Sequence, residues 1–129
     1  MSQIVDYALA RRALLADYRE NRIGREAICD AHPELVRAAT YLGIARDGTC
    51  PICEERAMRT VGYVYGDELR RINGRVVGDD GELERLAQRY AEFTCYEVEV
   101  CLDCHWNHLV RSYVLGTAQS SATSAGVLR

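Results

Sequence analysis

Two pairs of cysteines are the residues of this sequence best suited to chemistry. They are Cys50-Pro51-Ile52-Cys53 and Cys101-Leu102-Asp103-Cys104. Two intervening residues let both sulfur atoms of a pair reach one ion while nearby backbone N–H groups donate to them. Four thiolates form the tetrahedral site that Zn²⁺ accepts, with zinc–sulfur distances of about 2.3 Å. The sequence therefore predicts one structural zinc ion bound by Cys50, Cys53, Cys101 and Cys104.

The position of the pairs indicates a zinc-ribbon-like module. Each pair follows a short approach segment and precedes a predicted strand, so that two hairpin tips can converge on the ion. The 47 residues from 54 to 100 exceed a minimal ribbon and leave room for an inserted hairpin and helix. Such tips often carry glycine after the second cysteine, where positive φ is useful. Glu54 and His105 stand there instead, so we expect tighter or strained turns.

Other ligand sets are open to the sequence. Cys29 and His32 have C-x2-H spacing, and with the first cysteine pair they could form a separate site. The second pair would then be completed by His105 or His108. We favour a buried helix cysteine at Cys29 and a capping or packing role for His32. Iron in the same thiolates is a further alternative, because tetrahedral sulfur does not exclude it. A redox-active pair is disfavoured, since neither pair lies within a βαβ unit.

The remaining candidate residues have structural interpretations. Cys95 fits an ordinary sheet position, and Trp106 is expected to cover the metal site, although it could instead stack on a base or anchor a partner. A histidine beside the second pair could donate to a cysteine sulfur. The carboxylates are interpreted as solvated, namely those of Glu82, Glu84, Glu97 and Glu99. No common catalytic motif is present either, so an enzyme is not expected.

Hydrophobic periodicity divides the chain into three stretches. Residues 1–47 form a predicted helical unit. Its first helix has Ser2 as N-cap, its short second helix covers 25–31, and its third runs from Pro33 to Leu42 and ends at Gly43. Residues 48–116 form the predicted ribbon-like module, and residues 117–129 a predicted disordered tail. Within the module we expect strands at 58–65, 94–100 and 108–115. An Asn73–Gly74 turn is predicted to join 69–72 to 75–77 as a hairpin. A helix is predicted at 82–93, with Asp79 or Asp80 as its cap.

Composition narrows the class of protein. The chain has 129 residues, 48% of them apolar, and a net charge of -3, so no overall positive field attracts nucleic acid. No export signal or apolar run long enough to span a membrane is visible. Six cysteines without an export signal indicate a reducing compartment, and we expect a cytoplasmic protein. The absence of lysine among its 16 basic residues fits a GC-rich genome.

Four segments resemble an uncharacterised family of small actinobacterial proteins, known as a domain of unknown function. They are CDAHPELVRAA (Cys29–Ala39), CPIC (Cys50–Cys53), YVYGDEL (Tyr63–Leu69) and VEVCLDCHWNHLVRSYVLG (Val98–Gly116). The resemblance covers about residues 3–116. It implies a bacterial cytosolic protein with paired cysteine motifs, and it implies no activity, substrate or catalytic residue.

The sequence thus predicts an α+β fold in which N-terminal helices pack on a zinc-ribbon-like antiparallel sheet. The favoured function is a zinc-stabilised adaptor or regulatory protein that docks on a larger assembly, with transcription or translation machinery as possible partners. The first alternative is nucleic-acid binding through a helix-turn-helix-like pair that includes Arg37. Seven arginines are balanced by seven acidic residues in 1–48, which disfavours it. The second alternative is an enzyme. The oligomeric state is left open.

Overall fold

An antiparallel sheet forms the centre of the fold. The computed structural model describes residues 4–78 and 81–119. Within them the strand order is β1-β6-β5-β3-β2, and β4 also pairs with β3. The strands are β1 (Ile4–Asp6), β2 (Ile44–Ala45), β3 (Met58–Tyr65), β4 (Val76–Val77), β5 (Phe93–Cys101) and β6 (Asn107–Leu115). The helices are α1 (Ala8–Arg19), α2 (Arg25–Ile28), α3 (Pro33–Leu42) and α4 (Glu82–Arg89), with a 3₁₀ segment at Asp67–Ile72.

Helices cover both faces of the sheet. Met58 and Val61 lie three residues apart in β3 and therefore point to opposite faces. Met58 packs with Leu15 of α1, whereas Val61 packs with Ala39 of α3. A third cluster, centred on Val64, buries residues of α4 and the 3₁₀ segment. The structure confirms the predicted combination of helices with an antiparallel sheet.

The boundaries of α3 follow from local chemistry. Pro33 occupies the first turn, where its missing N–H costs nothing. The Nδ1 atom of His32 accepts a hydrogen bond from the backbone N–H of Glu34 at 3.0 Å. The helix ends before Gly43, as predicted. The predicted capping role of His32 is confirmed.

The predicted start of the first helix is wrong. Ile4–Asp6 forms strand β1, which pairs with β6, and α1 begins only at Ala8. The Asp6 carboxylate accepts the backbone N–H of Ala8 at 2.7 Å. The free edge of β6 offers Ile4 and Val5 backbone hydrogen bonds, and β-branched residues suit a strand. The proposed cap Ser2 lies outside the described residues.

The predicted 69–72/75–77 hairpin is also wrong. Its first arm belongs to the 3₁₀ segment, and Val76–Val77 pairs with β3 instead. Leu69 is only 2% exposed, so a helical turn buries it well. The Asn73 side chain accepts the backbone N–H of Gly66 at 2.8 Å and thereby closes this segment. The predicted second strand of the hairpin therefore exists, but with a different partner.

Two predicted helices are longer than the observed ones. The second helix ends at Ile28 and α4 ends at Arg89. Phe93, predicted to end α4, is the first residue of β5 and is 1% exposed. The predicted caps Asp79 and Asp80 lie outside the described residues, as does the predicted tail beyond residue 119. The backbone N–H of Thr117 donates to the carbonyl of Tyr90. Among the described residues, no helix is long and apolar enough to cross a membrane.

A buried carboxylate joins α1 to the sheet. Glu99 is 1% exposed, although the sequence suggested a solvated side chain. One of its oxygens, Oε2, accepts from Arg11 Nε at 2.6 Å and from Trp106 Nε1 at 2.9 Å. Its other oxygen lies 3.6 Å from Arg46. Strand alternation places Glu99 on the face of Cys101, which is the sequence signal for its burial.

We predict that Glu99→Gln lowers the free energy of unfolding by about 2–4 kcal/mol, because two arginines and an indole N–H lose a buried carboxylate. Glu97→Gln is the matched control on the same strand and face. Glu97 is paired with Arg111 at 2.6 Å but is more exposed, and its loss should cost less than about 1 kcal/mol. Urea unfolding of both variants measures the difference. Equal losses would contradict the structural role of Glu99.

Candidate metal centre

The two cysteine turns have the same backbone conformation. In the first, the N–H of Glu54 donates to the carbonyl of Cys50 at 3.0 Å, and the N–H of Cys50 donates to Glu55 at 2.9 Å. In the second, His105 donates to Cys101 at 3.0 Å, and Cys101 donates to Trp106 at 2.8 Å. Both turns thus bring their paired cysteines to the same relative position.

The residue after each pair takes the conformation that glycine favours. The φ angle is 67° at Glu54 and 74° at His105. Such angles are uncommon for residues with a Cβ atom and carry a cost in strain. The expected strain in the turns is therefore observed at both positions. Because neither residue is glycine, local backbone preference does not account for the shared conformation.

The four sulfur atoms of the predicted ligands converge. All lie within 4.8 Å of one another. The Cys50–Cys104 and Cys53–Cys101 sulfur distances are both 3.7 Å. A tetrahedron with zinc–sulfur bonds of about 2.3 Å has edges of about 3.8 Å, so the spacing fits one central ion. The cluster can therefore hold a metal ion.

Backbone N–H groups donate to the sulfur atoms. Ile52 donates to Cys50 at 3.3 Å, and Asp103 and Cys104 donate to Cys101 at 3.4 and 3.5 Å. Burial acts to raise the pKa of Cys101, but the two backbone N–H donors and hydrogen bonds with the Cys53 and Cys50 thiols together outweigh burial, and the pKa is lowered. Burial raises the pKa of Cys50 and of Cys104. The donors favour a thiolate at Cys101, the form that binds metals.

The site lies inside a hydrophobic cluster and is not an appendage of the fold. Cys50 and Cys101 are completely buried with Trp106, which is also 0% exposed. Leu15 from α1 and Ile28 from α2 complete the cover. The structural interpretation of Trp106 is confirmed, and a buried indole cannot stack on a base or anchor a partner.

Comparison with known proteins identifies the family. The model of a family of unknown function, DUF5318, matches residues 1–127. An uncharacterised protein of Mycobacterium bovis is 43% identical over 122 residues, covering 95% of this chain and 88% of that protein. Uncharacterised proteins of two Mycobacterium tuberculosis strains show the same identity and coverage. The chain belongs to the DUF5318 family. No solved structure matches it.

This DUF5318 protein places a fifth cysteine beside the cluster. The Cys29 sulfur lies 3.5 Å from that of Cys104, and Cys29 is half-buried rather than buried. The favoured prediction of a buried helix cysteine is wrong, because Cys29 follows the last residue of α2 and is only half-buried. The alternative based on spacing grouped Cys29 with the first pair, whereas its sulfur lies beside the second. Cys29 is not part of the compact group of four sulfur atoms.

Within the described part of this DUF5318 protein, no histidine belongs to the compact group of metal-binding side chains. The His105 carbonyl accepts from Ala31 at 3.0 Å. The His108 ring stacks on Trp106 with centroids 5.9 Å apart, and its Nδ1 donates to the Leu109 carbonyl at 2.7 Å. Within the described part of the chain, no second group of metal-binding side chains is this compact. Cys95 is 1% exposed in the cluster around Val64, as its interpretation as a sheet residue requires.

We predict that Cys29→Ser leaves the metal content of the purified DUF5318 protein at one ion per chain, because four other sulfur atoms already form a tetrahedral set. Cys104→Ser is the matched variant, since its sulfur is the neighbour of Cys29 and belongs to that set. It should lower metal affinity at least tenfold. Competition with a chromophoric chelator measures both affinities. Two ions per wild-type chain would instead support split sites.

Proposed function

We propose that this protein is a small zinc-stabilised binding protein. The observation that carries the proposal is the sulfur geometry, because two 3.7 Å separations match the edges of a zinc tetrathiolate. Zinc tetrathiolates usually hold a fold together, whereas catalytic zinc keeps a position open for water or substrate. We therefore assign the ion a structural role and assign the protein no enzymatic activity. Four reduced thiolates suit the cytoplasm, where we place the protein.

The ion would lie at one end of the β3–β5 ladder. Cys101 is the last residue of β5 and pairs with Met58, the first residue of β3. Two cysteine turns beside paired strands support a zinc-ribbon-like arrangement, with α4 and the 3₁₀ segment in the insertion. Zinc binding contributes on the order of 10 kcal/mol to such a module. This is comparable to the whole stability of a small domain, about 5–15 kcal/mol.

A tyrosine-rich surface supports a protein partner. Tyr63, Tyr65 and Tyr96 line a shallow depression of about 360 Å³ together with Leu35 and Val98. The rings of Tyr65 and Tyr96 meet edge to face at 5.7 Å, and Tyr65 is 45% exposed. Tyrosine is enriched at protein interfaces because it offers a large apolar area with a polar end. We propose that this surface docks on a protein subunit of a larger assembly, with transcription or translation machinery as candidates.

The nucleic-acid alternative receives less support from the same residues. The helix preceding the turn at His32 has only four residues, and Arg37 is paired with Glu34 at 3.2 Å. A helix-turn-helix reader needs a first helix that crosses the backbone and free cations on the second. We therefore keep the protein partner as the proposal.

The metal proposal is tested by purifying the protein from its native host and measuring zinc, iron and sulfur. We expect one zinc ion per chain. Replacement by Co²⁺ should give the absorption bands of a tetrahedral thiolate site, and Cys50→Ser should abolish them. Removal of zinc by a chelator should abolish cooperative thermal unfolding, because the ion is a large part of the stability. Iron in the purified protein would contradict zinc, and no bound metal would contradict both.

The docking proposal is tested by affinity capture from native cytosol with quantitative mass spectrometry. We expect a defined partner to be recovered at a fixed ratio to the wild-type protein, with about tenfold less recovered by Tyr65→Ser. Tyr41→Ser is the matched control, because Tyr41 is 79% exposed and lies outside the depression. Equal loss in both variants, or recovery of chaperones alone, would contradict docking at this surface.

A further inference from the structure

Arginines surround a cavity at the end of the fold formed by α4 and the 3₁₀ segment. The cavity has a volume of about 660 Å³, and neither the metal site nor the tyrosine depression shares its lining. This volume falls within the range of about 300–1,000 Å³ that is usual for small-molecule sites. Five arginines line it, namely Arg70, Arg71, Arg75, Arg85 and Arg89.

Positive charge exceeds negative charge in the lining. Among the described residues of the lining, the five arginines stand against two glutamates, Glu68 and Glu82, an excess of three positive charges. Glu82 binds Arg75 at 2.6 Å, and Glu68 accepts the backbone N–H of Ala91 at 2.8 Å. The whole chain carries a net charge of -3, so this local excess opposes the overall charge. The cavity can therefore attract an anion that the rest of the surface repels.

Three of the guanidinium groups are available to a ligand. No carboxylate among residues 4–78 and 81–119 forms an ion pair with Arg70, Arg71 or Arg89. Arg89 lies over the ring of Tyr90 at 5.9 Å. Arg70 has φ of 51° and ψ of -113°, a strained conformation within the 3₁₀ segment. Strained residues are concentrated at binding sites, where the surrounding structure holds them in place.

The chemistry of the lining indicates the class of ligand. A guanidinium group binds phosphate oxygens through two parallel N–H donors. A single carboxylate would satisfy one arginine, whereas a diphosphate offers oxygens to several. Leu69, Ile72 and Leu86 add an apolar part to the same lining, which suits an organic group. A concave site of this size fits a small molecule better than an extended nucleic-acid backbone.

We propose that this cavity binds a small organic diphosphate or triphosphate of the nucleotide class. Arg70, Arg71 and Arg89 contact the phosphate oxygens, and the organic group packs against Ile72, which is half-buried. The proposal is independent of the metal site and of the docking surface.

The proposal is tested by isothermal titration of the full-length, metal-loaded protein with ADP, inorganic pyrophosphate and adenosine. We expect saturable binding of ADP at one molecule per chain, weaker binding of pyrophosphate and none of adenosine. Affinity should fall as salt is raised, because salt screens charge attraction. Pyrophosphate binding as tight as that of ADP would assign the site to inorganic phosphates and contradict the organic class. Absence of saturable ADP binding would overturn the proposal.

Charge-matched variants separate the cavity from general charge effects. Arg70→Gln/Arg71→Gln should weaken ADP binding at least tenfold, and Arg89→Gln provides a second test outside the strained segment. The control is Arg12→Gln/Arg19→Gln, which removes two exposed arginines of α1 outside the cavity. Metal content and thermal unfolding establish that each variant is folded. Equal weakening by both double variants, or stoichiometric binding of single-stranded RNA in place of ADP, would contradict the proposal.

Discussion

The convergence of two cysteine turns is the constraint on which the rest of the fold depends. The four sulfur atoms lie within 4.8 Å of one another, although the two cysteine pairs are separated in the chain by β3, β4 and most of β5. Without a cation, thiolates at this spacing would repel one another. A bound cation would hold the first residue of β3 opposite the last residue of β5. This pairing is consistent with the register of the whole β3–β5 ladder. The cysteines are also core residues, so that a bound ion would stabilise the same region as hydrophobic burial does.

Away from the cysteines, the fold relies on ordinary packing. The cluster around Val64 joins α4 and the 3₁₀ segment to the sheet without contributing to the metal site. Glu99 belongs to the region around the cysteines, because it connects α1, the residue after β2 and the indole beside the cysteines. The two ends of the sheet can therefore differ in how they respond to metal. The arginine-lined cavity lies beside the Val64 cluster, with which it shares Leu69, Ile72 and Leu86.

Local signals in the sequence predicted part of this arrangement. The bounds of β3 and α3 were predictable because proline, a capping histidine, glycine and an alternating apolar run act within a few residues. The grouping of four cysteines followed from their spacing, although their occupation by zinc stays a prediction. The misses depend on distant partners. Strand β1 exists because β6 offers its edge, and Glu99 is buried because Arg11 reaches it from 88 positions away. The wrongly predicted hairpin shows that an Asn-Gly turn does not determine the partner of the strand that follows it, because Val76–Val77 pairs with β3.

The pairing of β1 with β6 has a consequence for synthesis on the ribosome. Ile4 is made well before its partner Tyr113, because β1 and β6 lie far apart in the chain. The first cysteine turn likewise emerges well before the second, with β5 between them in the chain. Contacts of such long sequence separation slow folding. A nascent chain therefore displays the first cysteine pair and an unpaired strand β1 until the second cysteine turn and β6 have been made, and an ion bound by all four cysteines would have to wait for them.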